Sequence, residues 1–290
     1  MTNKRTGAFI QLLETTNQLI MKYLSFLLVT ILSSTSLLAQ DGKFADVNGI
    51  RMYYESYGEG EPLFLLHYWT STSQMWKEHV EDLKLEYKVY IPDLRGHGKS
   101  EADLSDFTMK ESAKDLMALM NHLNLDKIKA IGVSYGGFTL LHAATMEPER
   151  IEAMVLVGTA PYLSTGAREY ISGFDWETAN PSFVERLIAQ HGNDENRAEQ
   201  IFQTFASFKD DYMMINFTPP LLSTIKAETL IVMGENDYLG LDLAVEMSKS
   251  IANSHLWIVP NTGHTGPVFG KNQAEFIRVS KEFLNGAWSE

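Results

Sequence analysis

Short apolar runs alternate with amphipathic stretches along most of the chain, and the period of each predicts what it folds into. Pro62-Leu63-Phe64-Leu65-Leu66-His67, bounded by Gly60 and a polar loop, reads as a strand buried on both faces. Residues 88–91, 127–133, 153–157, 229–233 and 255–259 are further short apolar runs of strand length. Between them, residues 74–85 carry Trp76, Val80 and Leu83 at helical spacing, and Thr108-Met109-Lys110-Glu111 is a capping box that opens a helix to about Leu123. Helices are also predicted over 138–146, 241–251 and 272–284. Residues 43–57 read as a hairpin turning at Asn48-Gly49, a dipeptide suited to a tight turn. Buried strands alternating with helices predict an α/β fold built on a mostly parallel central sheet covered on both faces.

The alternation breaks after Thr159-Ala160-Pro161 and resumes beyond Pro219-Pro220. Residues 162–220 hold helix-like pieces rich in aromatic residues and methionine, and they read as a helical cap inserted over the open end of the sheet. The core is then 40–161 and 221–290. No internal repeat is present.

Residues 1–39 read differently. Met21-Lys22 precedes a short apolar run that ends in Ser33-Ser34-Thr35-Ser36-Leu37-Leu38-Ala39, the three-part pattern of a secretory signal peptide cleaved after Ala39. The run falls short of the roughly 20 apolar residues that span a bilayer. Residues 1–20, with Glu14 among them, fit the pattern poorly, so Met21 competes with Met1 as the start. The expectation is export to the periplasm or medium, with no membrane attachment after cleavage.

Charge and composition narrow the partners. The formal charge is −13, which disfavours nucleic acid and anionic membranes. With no cysteine the chain has neither disulfides nor thiolate metal sites. Its histidines show no metal-binding spacing, and no glycine-rich phosphate loop occurs, so no cofactor and no metal are expected. Oligomeric state is not legible.

One stretch points to chemistry. Gly132-Val133-Ser134-Tyr135-Gly136 joins a predicted strand to a predicted helix. Glycines on both sides suit a sharp turn that projects the Ser134 hydroxyl into a cleft, above helix N–H groups able to meet negative charge. Open α/β sheets carry their chemistry beyond the carboxyl ends of the strands. Two later loops lie there: Gly234-Glu235-Asn236-Asp237-Tyr238, with two competing acids, and Gly263-His264.

The elbow, the Gly-x-x-Asp loop, the Gly-His loop and the turn Asp93-x-x-Gly-x-Gly-x-Ser100 together resemble the α/β-hydrolase superfamily, from about Lys43 to the C-terminus. Within it the chain looks like the capped esterase, lactonase and C–C hydrolase branch, whose cap follows the sixth core strand. Epoxide hydrolases and haloalkane dehalogenases are similar but place an aspartate at the elbow, where this chain has Ser134.

The resemblance implies Ser134 as nucleophile, His264 as base and Asp237, rather than Glu235, as the acid that orients it. Some members carry the acid after the preceding strand, but Gly158-Thr159-Ala160-Pro161 offers no carboxylate. It implies an oxyanion hole from the backbone N–H groups of Tyr135 and Trp69, although His67-Tyr68 stands where members often have His-Gly. Tyr68, Trp69 and Tyr135 are the expected substrate-binding residues. His67 is expected to brace the oxyanion loop, and His97, with Arg95 and Asp93, to belong to a structural turn. The implied activity is cofactor-independent hydrolysis of a small ester, thioester or lactone. Alternatives on the same triad are C–C bond hydrolysis, perhydrolysis, and ligand sensing of the karrikin and strigolactone receptor kind.

Overall fold

The computed structural model describes residues 42–105 and 107–288. The expected signal peptide therefore lies outside the described residues. Eight strands, β1 (Lys43–Val47), β2 (Ile50–Tyr57), β3 (Glu61–Leu66), β4 (Tyr87–Pro92), β5 (Ile128–Val133), β6 (Ile151–Val157), β7 (Glu228–Gly234) and β8 (Ser254–Val259), form one sheet in the order β1-β2-β4-β3-β5-β6-β7-β8. The hairpin β1–β2 and the β2–β4 pair are antiparallel, and every pair from β4 to β8 is parallel. The mostly parallel sheet expected from the alternating runs is the sheet observed.

Helices cover both faces. Phe64 and Leu66 of β3, Met154 and Leu156 of β6, and Ile231 and Met233 of β7 point to one face. There they pack on α2 (Met109–His122), α3 (Tyr135–Met146) and α8 (Leu241–Ser250). The alternate residues, Leu63, Leu65, Val155, Val157, Leu230 and Val232, meet α1 (Lys77–Leu83) and α9 (Gln273–Leu284) through Val80, Leu83, Phe276 and Phe283. Successive side chains of a strand point to opposite faces, so a strand covered on both must be apolar throughout. β3 shows this most fully, since Leu63 to Leu66 are all 0% exposed. Each such side chain contributes about 1.5–3 kcal/mol of burial.

Between β6 and β7 the chain forms α4 (Thr165–Ser172), α5 (Pro181–Gln190), α6 (Glu195–Ser207) and the single-turn α7 (Pro219–Leu222). The side chains of Ser164, Asn180 and Asp194 accept the first free N–H groups of α4, α5 and α6, which sets where each begins. Of the boundaries that differ from the sequence reading, two have a clear physical reason. Pro219 opens α7 instead of simply closing the segment, because proline has no N–H to lose at a helix start. And α3 begins at Tyr135, directly after Ser134, rather than at Phe138. Gly136 and Gly137 had the look of a turn, yet they are the first helical turn, where bulk is forbidden.

The reason is contact. A Cβ on Gly136 would sit 2.5 Å from the Leu66 carbonyl oxygen of β3, and one on Gly137 would sit 2.1 Å from Thr159 Oγ1 beyond β6. The helix thus lies hard against the ends of two strands, which aims its N-terminus at the rim of the sheet. Gly136→Ala must push backbone apart, since Leu66 cannot rotate away. The expected cost is about 1–3 kcal/mol, read as a lower urea midpoint with unchanged slope. A midpoint equal to wild type would mean that this packing does not hold the elbow.

Candidate active site

Ser134 stands between β5 and α3 at φ 50, ψ −109, a conformation that non-glycine residues rarely adopt. Its N–H donates to the Val157 carbonyl of β6 at 2.8 Å, and its own carbonyl accepts the Phe138 N–H of α3 at 2.8 Å. Those two bonds hold the turn. The Tyr135 N–H is left without a partner among the described residues, at a helix N-terminus where the backbone dipoles favour negative charge.

Because β5, β6, β7 and β8 run parallel, the loops after β7 and β8 emerge on the same rim. They bring Asp237 and His264 together: His264 Nδ1 lies 2.9 Å from both carboxylate oxygens of a fully buried Asp237 side chain. The carboxylate accepts the Nδ1–H, which leaves the lone pair on Nε2. Asp237 is itself fixed by the Leu239 N–H, which donates to its Oδ1 at 3.0 Å. Glu235, the competing acid, makes no hydrogen bond to His264. It is exposed and accepts the Asn261 N–H at 2.9 Å, tying the β7 loop to the β8 loop. Gly158 completes this corner from β6 at φ 56, because a Cβ there would sit 2.9 Å from the imidazole of His264.

His264 Nε2 is buried and makes no hydrogen bond among the described residues, and Ser134 Oγ makes none either. The serine–histidine bond is therefore not closed in this structure. Such bonds are commonly long or misaligned before substrate binds and tighten around it.

The loop after β3 is built on two imidazoles. His67 Nε2 accepts the Leu94 N–H at 2.8 Å, so its proton is on Nδ1, which donates to the Tyr68 carbonyl at 2.8 Å. His97 repeats the arrangement: its Nε2 accepts the Thr70 N–H at 3.2 Å and its Nδ1–H donates to the Arg95 carbonyl at 2.9 Å. A backbone N–H can only donate, so both rings must be neutral. Burial acts in the same direction, pushing His67 down to about 4 and His97 well below its ordinary value. Asp93 finishes the brace, accepting the Ser73 N–H at 2.7 Å and the Lys99 N–H at 2.8 Å. The bracing role expected for His67 is the one its bonds describe, and His97, expected only to sit in a turn, shares it. The Trp69 N–H, like that of Tyr135, has no partner among the described residues.

The helical insertion is fastened to the same loops. Arg197 of α6 donates to the carbonyls of Gly96 and Ser100, at 3.1 and 2.6 Å from Nη2. Trp69 sends its indole N–H to the Ile201 carbonyl of α6 at 2.9 Å, with its ring edge-on to His97, Phe107, Tyr135 and Phe208. His191, at the end of α5, is fully buried beside His97 with ring centroids 5.5 Å apart, and burial pushes it down to about 4.

Core and insertion enclose a cavity of about 200 Å³, lined by Ser134 and His264 from the core and by Tyr170, Phe174, Phe183, Phe202 and Phe205 from the insertion. Tyr68 and Trp69 line it. Tyr135 does not. Its hydroxyl is 2.5 Å from Ser112 Oγ of α2 and the residue is 1% exposed; it lines instead a smaller pocket that also touches Ser134, Trp69 and Tyr238. Lining residues that the sequence reading missed are Thr70, Thr265 and Tyr238, the last stacked on Tyr170 with centroids 4.4 Å apart and set 4.6 Å from His264. The insertion aromatics did carry a signal: Phe202 and Phe205 of α6 are three apart, a spacing that shares one helix face. Among the described residues no group of three or more His, Asp or Glu is placed to hold a metal ion.

Comparison with known proteins bears on the fold. A family profile for the alpha/beta hydrolase fold matches residues 61–195. The chain is 30% identical over 156 residues to a soluble epoxide hydrolase of Corynebacterium sp. (strain C12), a match covering 51% of this chain and 54% of that protein. It is 27% identical over 256 residues to 2-hydroxy-6-oxononadienedioate/2-hydroxy-6-oxononatrienedioate hydrolase 1 of Pseudomonas putida, covering 78% and 88% of the two. Among solved structures, the meta-cleavage product hydrolase of Pseudomonas fluorescens IP01 superposes with a TM-score of 0.70 at 20% identity, covering 85% and 98%. The fold is that of the α/β hydrolases.

The buried imidazoles set a pH dependence. His67 and His191 are pushed down to about 4 in the folded chain, whereas unfolded imidazoles titrate near 6.5. Between those values the unfolded chain binds more protons, so stability is fully present above pH 6.5 and falls as pH drops toward 4. Melting temperature should decline from pH 7 to pH 5, before most carboxylates titrate. A flat profile over that interval would contradict neutral buried rings.

Proposed function

We propose that the protein is a cofactor-independent serine hydrolase acting on a small, uncharged ester, thioester or lactone. The observation that carries this reading is the His264 imidazole, anchored through Nδ1 on the Asp237 carboxylate with Nε2 left free, in the same cavity as Ser134. Ser134 Oγ attacks the carbonyl carbon while His264 Nε2 takes its proton, and Asp237 stabilises the imidazolium. The N–H groups of Tyr135 and Trp69 receive the oxyanion. His264 then gives its proton to the departing alkoxide or thiolate, and water deprotonated by the same nitrogen clears the acyl-enzyme.

The lining supports the substrate class. Eight of its twelve residues are aromatic and none is Lys or Arg, so a carboxylate carried into it would lose its hydration with no cation in return. The Pseudomonas putida relative is named for a dioate substrate, a dicarboxylate. C–C bond hydrolysis is the second reading, favoured by that relative, but the lining argues against a dianion here. The epoxide hydrolase match covers about half of that protein. A serine at the elbow supports acyl transfer rather than the aspartate chemistry its family resemblance implied. Export is part of the proposal and rests on residues 21–39 alone.

The test is a panel of p-nitrophenyl esters and small lactones. Ser134→Ala and His264→Ala should remove turnover, and Asp237→Asn should lower kcat on the order of 10⁴-fold. Glu235→Gln keeps an oxygen for the Asn261 N–H and should stay within about tenfold. A butyrate ester should outpace the hemisuccinate ester of equal length at least about tenfold. Equal losses for the two acid variants, or preference for the hemisuccinate, would refute the corresponding assignment.

A further inference from the structure

Among the described residues, six other than glycine have positive φ. Four are asparagines, Asn48, Asn124, Asn193 and Asn261, the residue type that best tolerates this region. The other two are Ser134 at φ 50 and Thr70 at φ 68, and both line the same cavity. For a β-branched residue this backbone is a true outlier, and such outliers persist where the surroundings over-determine them. Here the surroundings are explicit. The Thr70 N–H is held by His97 Nε2 at 3.2 Å, and the next N–H, that of Ser71, closes a turn onto the Tyr68 carbonyl at 3.1 Å.

Glycine would remove the strain, and among the described residues glycine stands at ten positive-φ positions. At position 70 it instead keeps a methyl and a hydroxyl. That hydroxyl makes no hydrogen bond among the described residues, and it stands in a largely aromatic lining one residue after the Trp69 N–H. The site that needs hydrogen-bond donors most thus has a donor with nothing else to bind.

We infer that Thr70 is a side-chain oxyanion donor: its hydroxyl donates to the carbonyl oxygen of the substrate and more strongly to the oxyanion that follows. This rests on Ser134 being the nucleophile. Because the bond strengthens as charge develops, its loss falls on kcat rather than on KM.

The experiment uses the full-length protein with Thr70→Val, Thr70→Ser, Thr70→Gly and Ser134→Ala, measured on the ester that wild type cleaves fastest. Valine keeps the branched shape without the donor, and it should lower kcat on the order of 10–100-fold with KM within about twofold. Serine keeps the donor and should remain within about threefold of wild type. Glycine relaxes the backbone, so it should melt above wild type while being as slow as valine, which separates lost chemistry from lost folding. Labelling of Ser134 by a fluorophosphonate should slow in valine and glycine in the same proportion as kcat. Wild-type turnover with an equally fast valine variant, or a serine variant as slow as valine, overturns the inference and leaves the serine hydrolase standing. Wild type no faster than Ser134→Ala overturns both.

Discussion

The loop that follows β3 lacks glycine after His67, and its course depends on two imidazoles staying uncharged. His67 and His97 each accept one backbone N–H and donate to one carbonyl, so each ring spans the gap between the loop and the turn over residues 93–100. Protonating either ring would set an N⁺–H against an N–H inside the protein, an arrangement that costs far more than the bond it replaces. Both rings are 0% exposed, so water cannot take over the lost contacts. The backbone N–H groups proposed to meet the oxyanion inherit their positions from this brace. So does the strained backbone of Thr70.

The insertion leans on the same brace from above. Arg197 reaches the turn, Trp69 reaches α6, and His191 packs beside His97, so the cavity roof is tied to the residues that shape its floor. A change in the insertion is therefore not independent of the reacting centre, because Trp69 carries one of the proposed oxyanion N–H groups on its backbone and a roof contact on its side chain. The aromatic lining offers a charged group no cation to pair with and offers flat or apolar groups a broad apolar surface.

The sheet was legible because fully buried parallel strands leave little choice of residue, as in Leu63-Phe64-Leu65-Leu66, and the elbow because Gly136 has no room for a side chain. Ser134 and His264 could be named from their loops and chain order, whereas the choice of Asp237 over Glu235 rested on the family resemblance; the structure brings Asp237 and His264 into contact. Other parts were not legible, for specific reasons. The direction of the Tyr135 ring depends on Ser112, 23 residues away on α2, and no local pattern records that partner. The positive φ of Thr70 runs against its residue type, so the sequence at that point argues for the wrong backbone. The lining aromatics were visible as a set but not as individuals, since helix spacing gives faces and only packing decides which face meets the cavity.

Gly158 bears on how this active site can change over generations. Its missing side chain is the space that the His264 ring occupies, and its positive φ bars other residues on backbone grounds as well. Any lineage that moved the orienting acid from the end of β7 to the end of β6 by substituting this residue would displace the base before gaining the acid. The intermediate would have neither arrangement intact. Asp237 is thus held in its proposed role by the emptiness of a neighbouring position as much as by its own bond to histidine.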